Sequence, residues 1–299
     1  MNKRRYWQLS FMLLFLLAPV LDLFRLDLDL NHFIFFGHSW TLGIAPNMSA
    51  SEASGRLLLY GFLPIFAVIV IGGFVAWRWG RLYCGWLCPH FSAVEIINAL
   101  MRRTTGKLSI WDKTPLPEQQ QDGTAITPSG ANVWLTTAAI IGFALLWAVT
   151  ALTYLQPPLE IYSNLLSAQL TTHQSLFIGV VTLLLTIEFT FARHLFCQYV
   201  CAVGVAQSFL WMGNKQAMVV EFDRQRAIEC ASCDASCEHA CPMRLKPRNI
   251  KRKIFTCTQC LECAHACARV QNTHAQPSLL KTTTTPYEYT LKSPTGSSE

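Results

Sequence analysis

Four long apolar blocks, a one-sided distribution of basic residues and two dense cysteine runs predict an α-helical membrane protein with a small cysteine-rich domain. Charged residues make up 14% of the 299-residue chain against 52% hydrophobic, and the apolar residues are gathered rather than spread. A helix crosses a bilayer with roughly 17–25 mostly apolar residues. Blocks of that length run at about Tyr6–Phe24, Leu57–Trp77, Val133–Leu155 and Gln174–Phe196, so four spans are expected.

The opening Lys3-Arg4-Arg5 followed by an apolar run also resembles a secretory signal. No small-residue cleavage site comes after it, and Asp22, Asp27 and Asp29 come soon after, so an uncleaved first helix is expected. Basic flanks fix the orientation. One side of the blocks holds Lys3, Arg4, Arg5, Arg78, Arg81, Arg102, Arg103, Lys107, Lys113, Arg193 and Lys215; the other, residues 25–56 and 156–173, holds only Arg25 and Arg56. Basic loops stay inside, which predicts a multi-pass protein of the bacterial inner (cytoplasmic) membrane with both termini cytoplasmic. In that orientation all 12 cysteines lie on the reducing side, where thiols persist and disulfides are disfavoured.

The membrane part reads as two pseudo-repeats. Residues 1–103 form the first half, with the pair Cys84-Gly-Trp-Leu-Cys88-Pro89. Residues 133–217 form the second, with Cys197-Gln-Tyr-Val-Cys201. A short apolar segment comes after each pair, Phe91–Met101 and Ala202–Met212, and is expected to lie along the interface; Pro89 suits the first turn of such a helix. The Thr/Pro/Gln/Gly-rich stretch 104–132 reads as a cytoplasmic linker. The aromatic outer segment Asn31–Trp40 reads as an interfacial belt. Residues 218–270 form the cysteine-bearing domain, too poor in large apolar residues to fold without metal, and 271–299 read as a disordered tail.

The first run is Cys230-x2-Cys233-x3-Cys237-x3-Cys241-Pro242, and the second is Cys257-x2-Cys260-x2-Cys263-x3-Cys267. This nearly matches the spacing that holds two cubane clusters in bacterial ferredoxins, where the fourth thiolate of each cluster comes from the other run. The domain is therefore expected to be ferredoxin-like, α+β, with two [4Fe-4S] clusters. Cluster one takes Cys230, Cys233, Cys237 and Cys267; cluster two takes Cys257, Cys260, Cys263 and Cys241. One residue too many separates Cys233 from Cys237, and a loop bulge would absorb it. Zinc held by paired Cys-x2-Cys motifs is the competing assignment.

At i and i+4 the sulfurs of each Cys-x3-Cys pair would face the same way on a helix. One pair cannot saturate a metal, but Cys84, Cys88, Cys197 and Cys201 together could share a metal, act as redox dithiols or bind copper(I). Small buried helix-end cysteines are the plainer alternative.

Cys84-Gly-Trp-Leu-Cys88-Pro89, Cys197-Gln-Tyr-Val-Cys201 and the two cluster runs, in this order, resemble the NapH/MauN ferredoxin-type membrane family and the related FixG/RdxA/CcoG proteins. The resemblance covers roughly residues 1–270. It implies a quinol dehydrogenase-type electron-transfer component that passes electrons from quinol, or a cytoplasmic donor, to redox partner proteins. The alternative it implies is a CcoG-like copper(II) reductase in cytochrome oxidase assembly, although this sequence has only a short polar tail after the clusters, and Ala202 stands where the second pair would have proline. A zinc-binding membrane scaffold is the reading without electron transfer.

Three further features bear on function. Glu188 lies inside the fourth block, where a charge costs roughly 2.5–3.5 kcal/mol to insert; it is a candidate proton acceptor beside a quinone, or a partner for Arg193. His90 and His194 adjoin the cysteine pairs and read as interfacial histidines, with proton carriage or ligation as the alternative. Arg244, Lys246, Arg248, Lys251, Arg252 and Lys253 crowd between the runs and suit anionic membrane lipid. No recognition fold accompanies this charge, so nucleic acid is not an expected partner.

Overall fold

The computed structural model describes residues 3–28, 32–44 and 47–284. The first apolar block forms helix α1 over Lys3–Leu17 and stops well before the expected Phe24. Pro19 has no N–H to continue the ladder. At ~1.5 Å per residue these 15 residues reach about 22 Å, short of the ~30 Å hydrocarbon core.

Beyond α1 the chain forms a three-stranded antiparallel sheet in place of an unstructured aromatic belt: β1 Phe24–Asp27, β2 His32–Phe35 and β3 His38–Trp40. Phe35 pairs with His38, and the two residues between them, Phe36 and Gly37, both have positive φ (48° and 73°). That is the backbone of a tight two-residue hairpin. Arg25 bridges Asp22 at 2.6 Å and the buried Asp27 at 2.7 Å, and Leu26 N–H donates to Tyr154 O, fastening the sheet to the third block.

The second block becomes a continuous 30-residue helix, Ala50–Trp79. It begins as α2 (Ala50–Arg56) with a Ser49/Glu52 capping box, passes through a π turn at Leu57–Phe62 and continues as α3 (Leu63–Trp79). Pro64 cannot donate to the carbonyl of Tyr60, and the indole of Trp40 takes that carbonyl at 3.1 Å instead.

The chain then forms α4 (Leu82–Trp86) and α5 (Pro89–Thr105), with Pro89 in the first turn as expected. Helix α5, expected to lie along the interface, is enclosed on several sides by other helices. Its Ala93, Val94 and Ile97 are fully buried against Ala144, Trp147 and Phe189, with Met12, Phe15 and Leu16 of α1 packed around them. This is the core of the membrane part, and α5 runs through it.

The third block forms α6 (Val133–Thr153), then α7 (Pro158–Leu166). The fourth forms α8 (Thr172–Ile187), extended by a π turn to Ala192. Arg193, at φ 32°, breaks the helix short of the expected Phe196. A second π turn, Phe196–Val200, leads into α9 (Ala202–Gly213). Among the described residues three helices are long and apolar enough to cross a membrane: Ala50–Trp79, Gly130–Thr153 and Thr172–Ala192. Their outward side chains, such as Phe66, Ile69, Leu183 and Leu184, are mostly exposed, a pattern that lipid satisfies and water does not.

The cysteine-bearing region is α+β. Strand β4 (Val219–Phe222) pairs antiparallel with β5 (Leu280–Thr283), and the helices α10 (Ser236–His239) and α11 (Glu262–Asn272) lie between them in sequence. The expected tail, 271–299, is corrected in its first part: α11 continues to Asn272 and β5 closes the sheet, while 285–299 lie outside the described residues.

The expected linker is corrected as well. Gln121 donates its backbone N–H to Asp234 at 3.0 Å and its side-chain amide to Ser232 O at 2.9 Å. Asp122 pairs with Arg269 at 2.7 Å, and Asp112 pairs with Arg244. The segment that joins the two halves therefore clasps the cysteine-bearing region.

Candidate metal centres

All 12 cysteines are free thiols, and they fall into three neighbourhoods. In the first, Cys230 closes a 3-10 turn, Cys237 stands at the start of α10 and Cys267 comes from α11. Cys237, Cys267 and Cys230 share one packed cluster with Val220, Leu279 and Leu280, and Cys263 of the second neighbourhood borders it too. The charge of Cys233 also reaches Cys230 and Cys237. The extra residue between Cys233 and Cys237 is absorbed where Ala235 turns left-handed at φ 60°. Asp234 steadies that turn by accepting the Ser236 N–H at 3.0 Å. Arg248, paired with Glu238 at 2.5 Å, is the cation nearest Cys230 and Cys237.

In the second, Cys241, Cys257, Cys260 and Cys263 line one cavity together with Val220, Met243, Leu245, Pro247, Ile254, Thr258 and Leu261. Cys241 comes from the first run and the other three from the second. The N–H of Leu245 points at the Cys241 sulfur, 3.4 Å away. Burial pushes the thiols up, Cys237 and Cys257 to about 12 and Cys241 and Cys263 further in the same direction. Such thiols stay protonated at neutral pH unless a metal takes the proton's place. Among the described residues no three His, Cys, Asp or Glu side chains converge as ligands of a single metal ion. Thiolates of a cubane bind separate irons and have no need to meet at one point.

The third neighbourhood joins the two repeats. Cys84 lies in α4 and Cys88 caps α5, while Cys197 lies in the π turn and Cys201 caps α9. Each pair therefore straddles a helix break, where an uninterrupted helical face was expected. Burial raises the Cys88 thiol, against the opposing pull of the Phe91 and His90 backbone N–H groups. Burial pushes the Cys84 thiol up to about 12, and neighbouring Cys88 and Cys201 add to this. Cys197 is pushed up by burial and feels Cys88, Cys201 and Cys84. Cys88 and Cys197 pack against Phe91, Cys241 and Met243, so this set abuts the cavity of the second.

Three residues essential to this arrangement stand in the sequence only as basic flanks or as part of a motif. Arg81 is 1% exposed. It donates to Ser208 Oγ (2.5 Å), Cys197 O (2.7 Å) and Gln198 O (3.2 Å). Arg4 reaches Glu95 at 2.5 Å, Glu262 at 3.0 Å and Gly85 O at 2.8 Å, tying α1, α5 and α11 together. Gly85 is required by close approach: a Cβ there would lie 2.2 Å from Thr258 O. The sequence signal was an arginine three residues before Cys84, repeated four residues before Cys197.

Glu188 does not pair with Arg193. Its carboxylate lies 3.5 Å from His90 Nε2, and neither carboxylate oxygen has a hydrogen-bond partner. Arg193 is buried and donates to Asn98 Oδ1 at 3.2 Å. His90 stacks on Phe189 with ring centroids 5.1 Å apart. His194 is buried, not interfacial; burial, then Arg244 and Arg193, lower it to about 4. The basic crowd between the runs is partly consumed internally. Arg244 and Arg248 are ion-paired, and Lys251 donates to Trp211 O and Asn214 O beneath the Trp211 ring.

The family described as 4Fe-4S binding domain matches residues 59–107 and 172–216, one stretch in each repeat. Those stretches carry Cys84, Cys88, Cys197 and Cys201 and end before Cys230. YccM of Escherichia coli (strain K12), whose name assigns it provisionally to electron transport, is 23% identical over 229 residues, 75% of this chain and 56% of YccM. The regulatory protein NosR of Pseudomonas aeruginosa is 24% identical over 186 residues, 62% of this chain and 23% of NosR. An uncharacterised protein of Methanocaldococcus jannaschii is 25% identical over 196 residues, 64% of this chain and 70% of that protein. The chain thus spans little more than half of YccM and under a quarter of NosR. No solved structure matches it. The likeness is to iron–sulfur proteins of the membrane type as a class and not to the NapH group in particular.

Proposed function

We propose that this chain is a membrane iron–sulfur electron-transfer protein with two [4Fe-4S] clusters, one on Cys230, Cys233, Cys237 and Cys267 and one on Cys241, Cys257, Cys260 and Cys263. The observation that supports the reading best is that Cys241 lines a cavity with Cys257, Cys260 and Cys263, while Cys267 packs with Cys230 and Cys237 in a cluster that Cys263 also borders. A zinc site has no need of ligands exchanged between the runs, whereas a two-cluster ferredoxin does. The electron-transport name of YccM points the same way; the 4Fe-4S family match supports iron–sulfur binding by the chain but covers residues 59–107 and 172–216, before either run.

When bound, the clusters supply one-electron acceptors and donors. The chain's own residues do the rest. Val220, Met243, Leu245, Ile254 and Leu261 exclude water from one cysteine set; Arg248 offsets the negative charge of the other. Quinol, as in NapH-like systems, is the donor this reading favours, with His90 and Glu188 as the nearest proton acceptors, held 3.5 Å apart and otherwise unbonded. The orientation is cysteines inside, supported by the basic flanks. A cavity of about 580 Å³, lined by apolar Met212, Val219 and Phe222 with Glu221 and the cations Lys215, Arg224 and Arg252, offers an anionic lipid headgroup or an acidic redox partner a place to dock.

Anaerobically purified protein should contain iron and acid-labile sulfide in equal amounts, and zinc in place of iron would end this reading. Cys260→Ser should remove one reduced-cluster signal in electron paramagnetic resonance and leave the other; retention of both would refute the ligand sets.

A further inference from the structure

We propose that two adjoining cavities on the cysteine-bearing region form one trough that docks a small acidic electron-carrier protein, with Cys230 as the point of electron exchange. The proposal rests on the reading that the first run holds an iron–sulfur cluster. It goes further in committing the basic cavity to a protein partner and in naming where the electron crosses.

The trough joins the cavity of about 580 Å³ along β4 to a second of about 390 Å³, whose walls include Ala227, Cys230, Glu238 and Lys246. Phe222, Arg248 and Asn249 line both, so one opening runs into the other. Charge selects the occupant. The walls hold Lys215, Arg224, Lys246, Arg248, Lys251 and Arg252 against two carboxylates, Glu221 and Glu238. Both carboxylates already have a cation at hand: Glu238 pairs with Arg248 at 2.5 Å, and Glu221 stands opposite Lys281 across the β4–β5 ladder. Lys251 is turned inward onto Trp211 O and Asn214 O. That leaves Lys215, Arg224, Lys246 and Arg252 exposed, without an ion pair or side-chain hydrogen bond among the described residues. A rim of unpaired cations steers an oppositely charged surface into register and speeds its encounter.

Position favours a protein over a lipid headgroup. The first cavity reaches the end of α9 at Met212, but no residue lining the second belongs to a helix long and apolar enough to cross a membrane. That second cavity opens on Cys230. Cys237 and Cys267, packed with Cys230 in one cluster, are buried, whereas Cys230 is half-buried. A lipid has no use for a path to a cysteine; an electron carrier must approach one. Each encounter moves one electron, so the carrier's centre and the cluster change by one in opposite senses. No bond is made and no proton moves, and the same face serves transfer in either direction.

The test is stopped-flow mixing of fully reduced flavodoxin, an acidic one-electron carrier, with the full chain purified in detergent without oxygen. Cluster reduction should slow about tenfold as salt rises from about 0.05 to 0.3 M. Lys246→Glu/Arg252→Glu should slow it by a similar factor at low salt, with iron content and the cluster signals in electron paramagnetic resonance retained. In a chain that holds iron, a rate indifferent to salt and to the charge reversal would overturn the docking face and leave the two-cluster reading intact. A double variant that no longer floats with phosphatidylglycerol vesicles, yet keeps its flavodoxin rate, would give the trough to lipid and overturn the proposal too. A chain with no iron at all defeats both readings. The salt dependence of the unmodified chain decides the matter even where the double variant fails to fold.

Discussion

Gly85 stands where the membrane part meets the cysteine-bearing region, with Thr258 O packed against it. Gly85→Ala forces Thr258 O, 2.2 Å from the new Cβ, to move, and overpacking of this kind costs about 1–3 kcal/mol. The expected outcome is a lower thermal midpoint in detergent together with faster cluster loss, with helix content preserved in circular dichroism. His194 makes a pH prediction. Its folded value near 4 lies below its ordinary 6.5, so the unfolded chain binds the extra proton between those values. Stability is complete above pH 6.5 and declines as pH falls toward 4. His194→Phe should flatten that decline in thermal melts taken from pH 7 to 4.5. An unchanged slope would show that His194 does not titrate in that window.

Element by element, agreement with the sequence tracks the strength of the physical signal. The second, third and fourth apolar blocks were legible because a hydrophobic span has few alternatives, and their helices lie within four residues of expectation at every end but the start of the second, which begins at Ala50, seven residues early. The sheet at Phe24–Trp40 was missed because its aromatic residues suit a membrane interface as well as a strand; what decided it was pairing to the turn at Phe36-Gly37. Strand β5 was hidden in a Thr-rich stretch that reads as polar. Thr is also a good strand former, and Val219–Phe222 was waiting as its partner. Helix α5 looked interfacial because the sequence cannot say that α1 and α6 would enclose it. Residues 106–129 looked like a linker for lack of apolar period, yet polar side chains fasten them to the cysteine-bearing region. Burial acts to raise the Asp122 carboxyl, but the hydrogen bonds from Arg269 and Thr124 outweigh it and hold it low. Asp122→Asn should loosen the clasp by about 1–2 kcal/mol and expose the 106–129 segment to limited proteolysis; an unchanged cleavage pattern would mean that Gln121 and Asp112 suffice.

For the molecule as a whole, the spacing of the cysteines was legible, because spacing is local information. Their electrostatic support was not: Arg4 and Arg81 act on residues 258 and up to 176 positions away, a relation visible only after folding. Orientation is testable on the intact cell. A cysteine at Ser163, in α7, should react with an impermeant maleimide from outside, and one at Lys107 only after permeabilisation; the reverse pattern would invert the topology.

The exchange of Cys241 and Cys267 bears on biogenesis. Both of the exchanged ligand sets stay incomplete until α11 has left the ribosome, after every long apolar helix and α9 have already been threaded. Metal loading of the proposed ligand sets would then be a late, post-insertional step, and a nascent chain stalled before α11 would present bare thiols to the cell's assembly machinery.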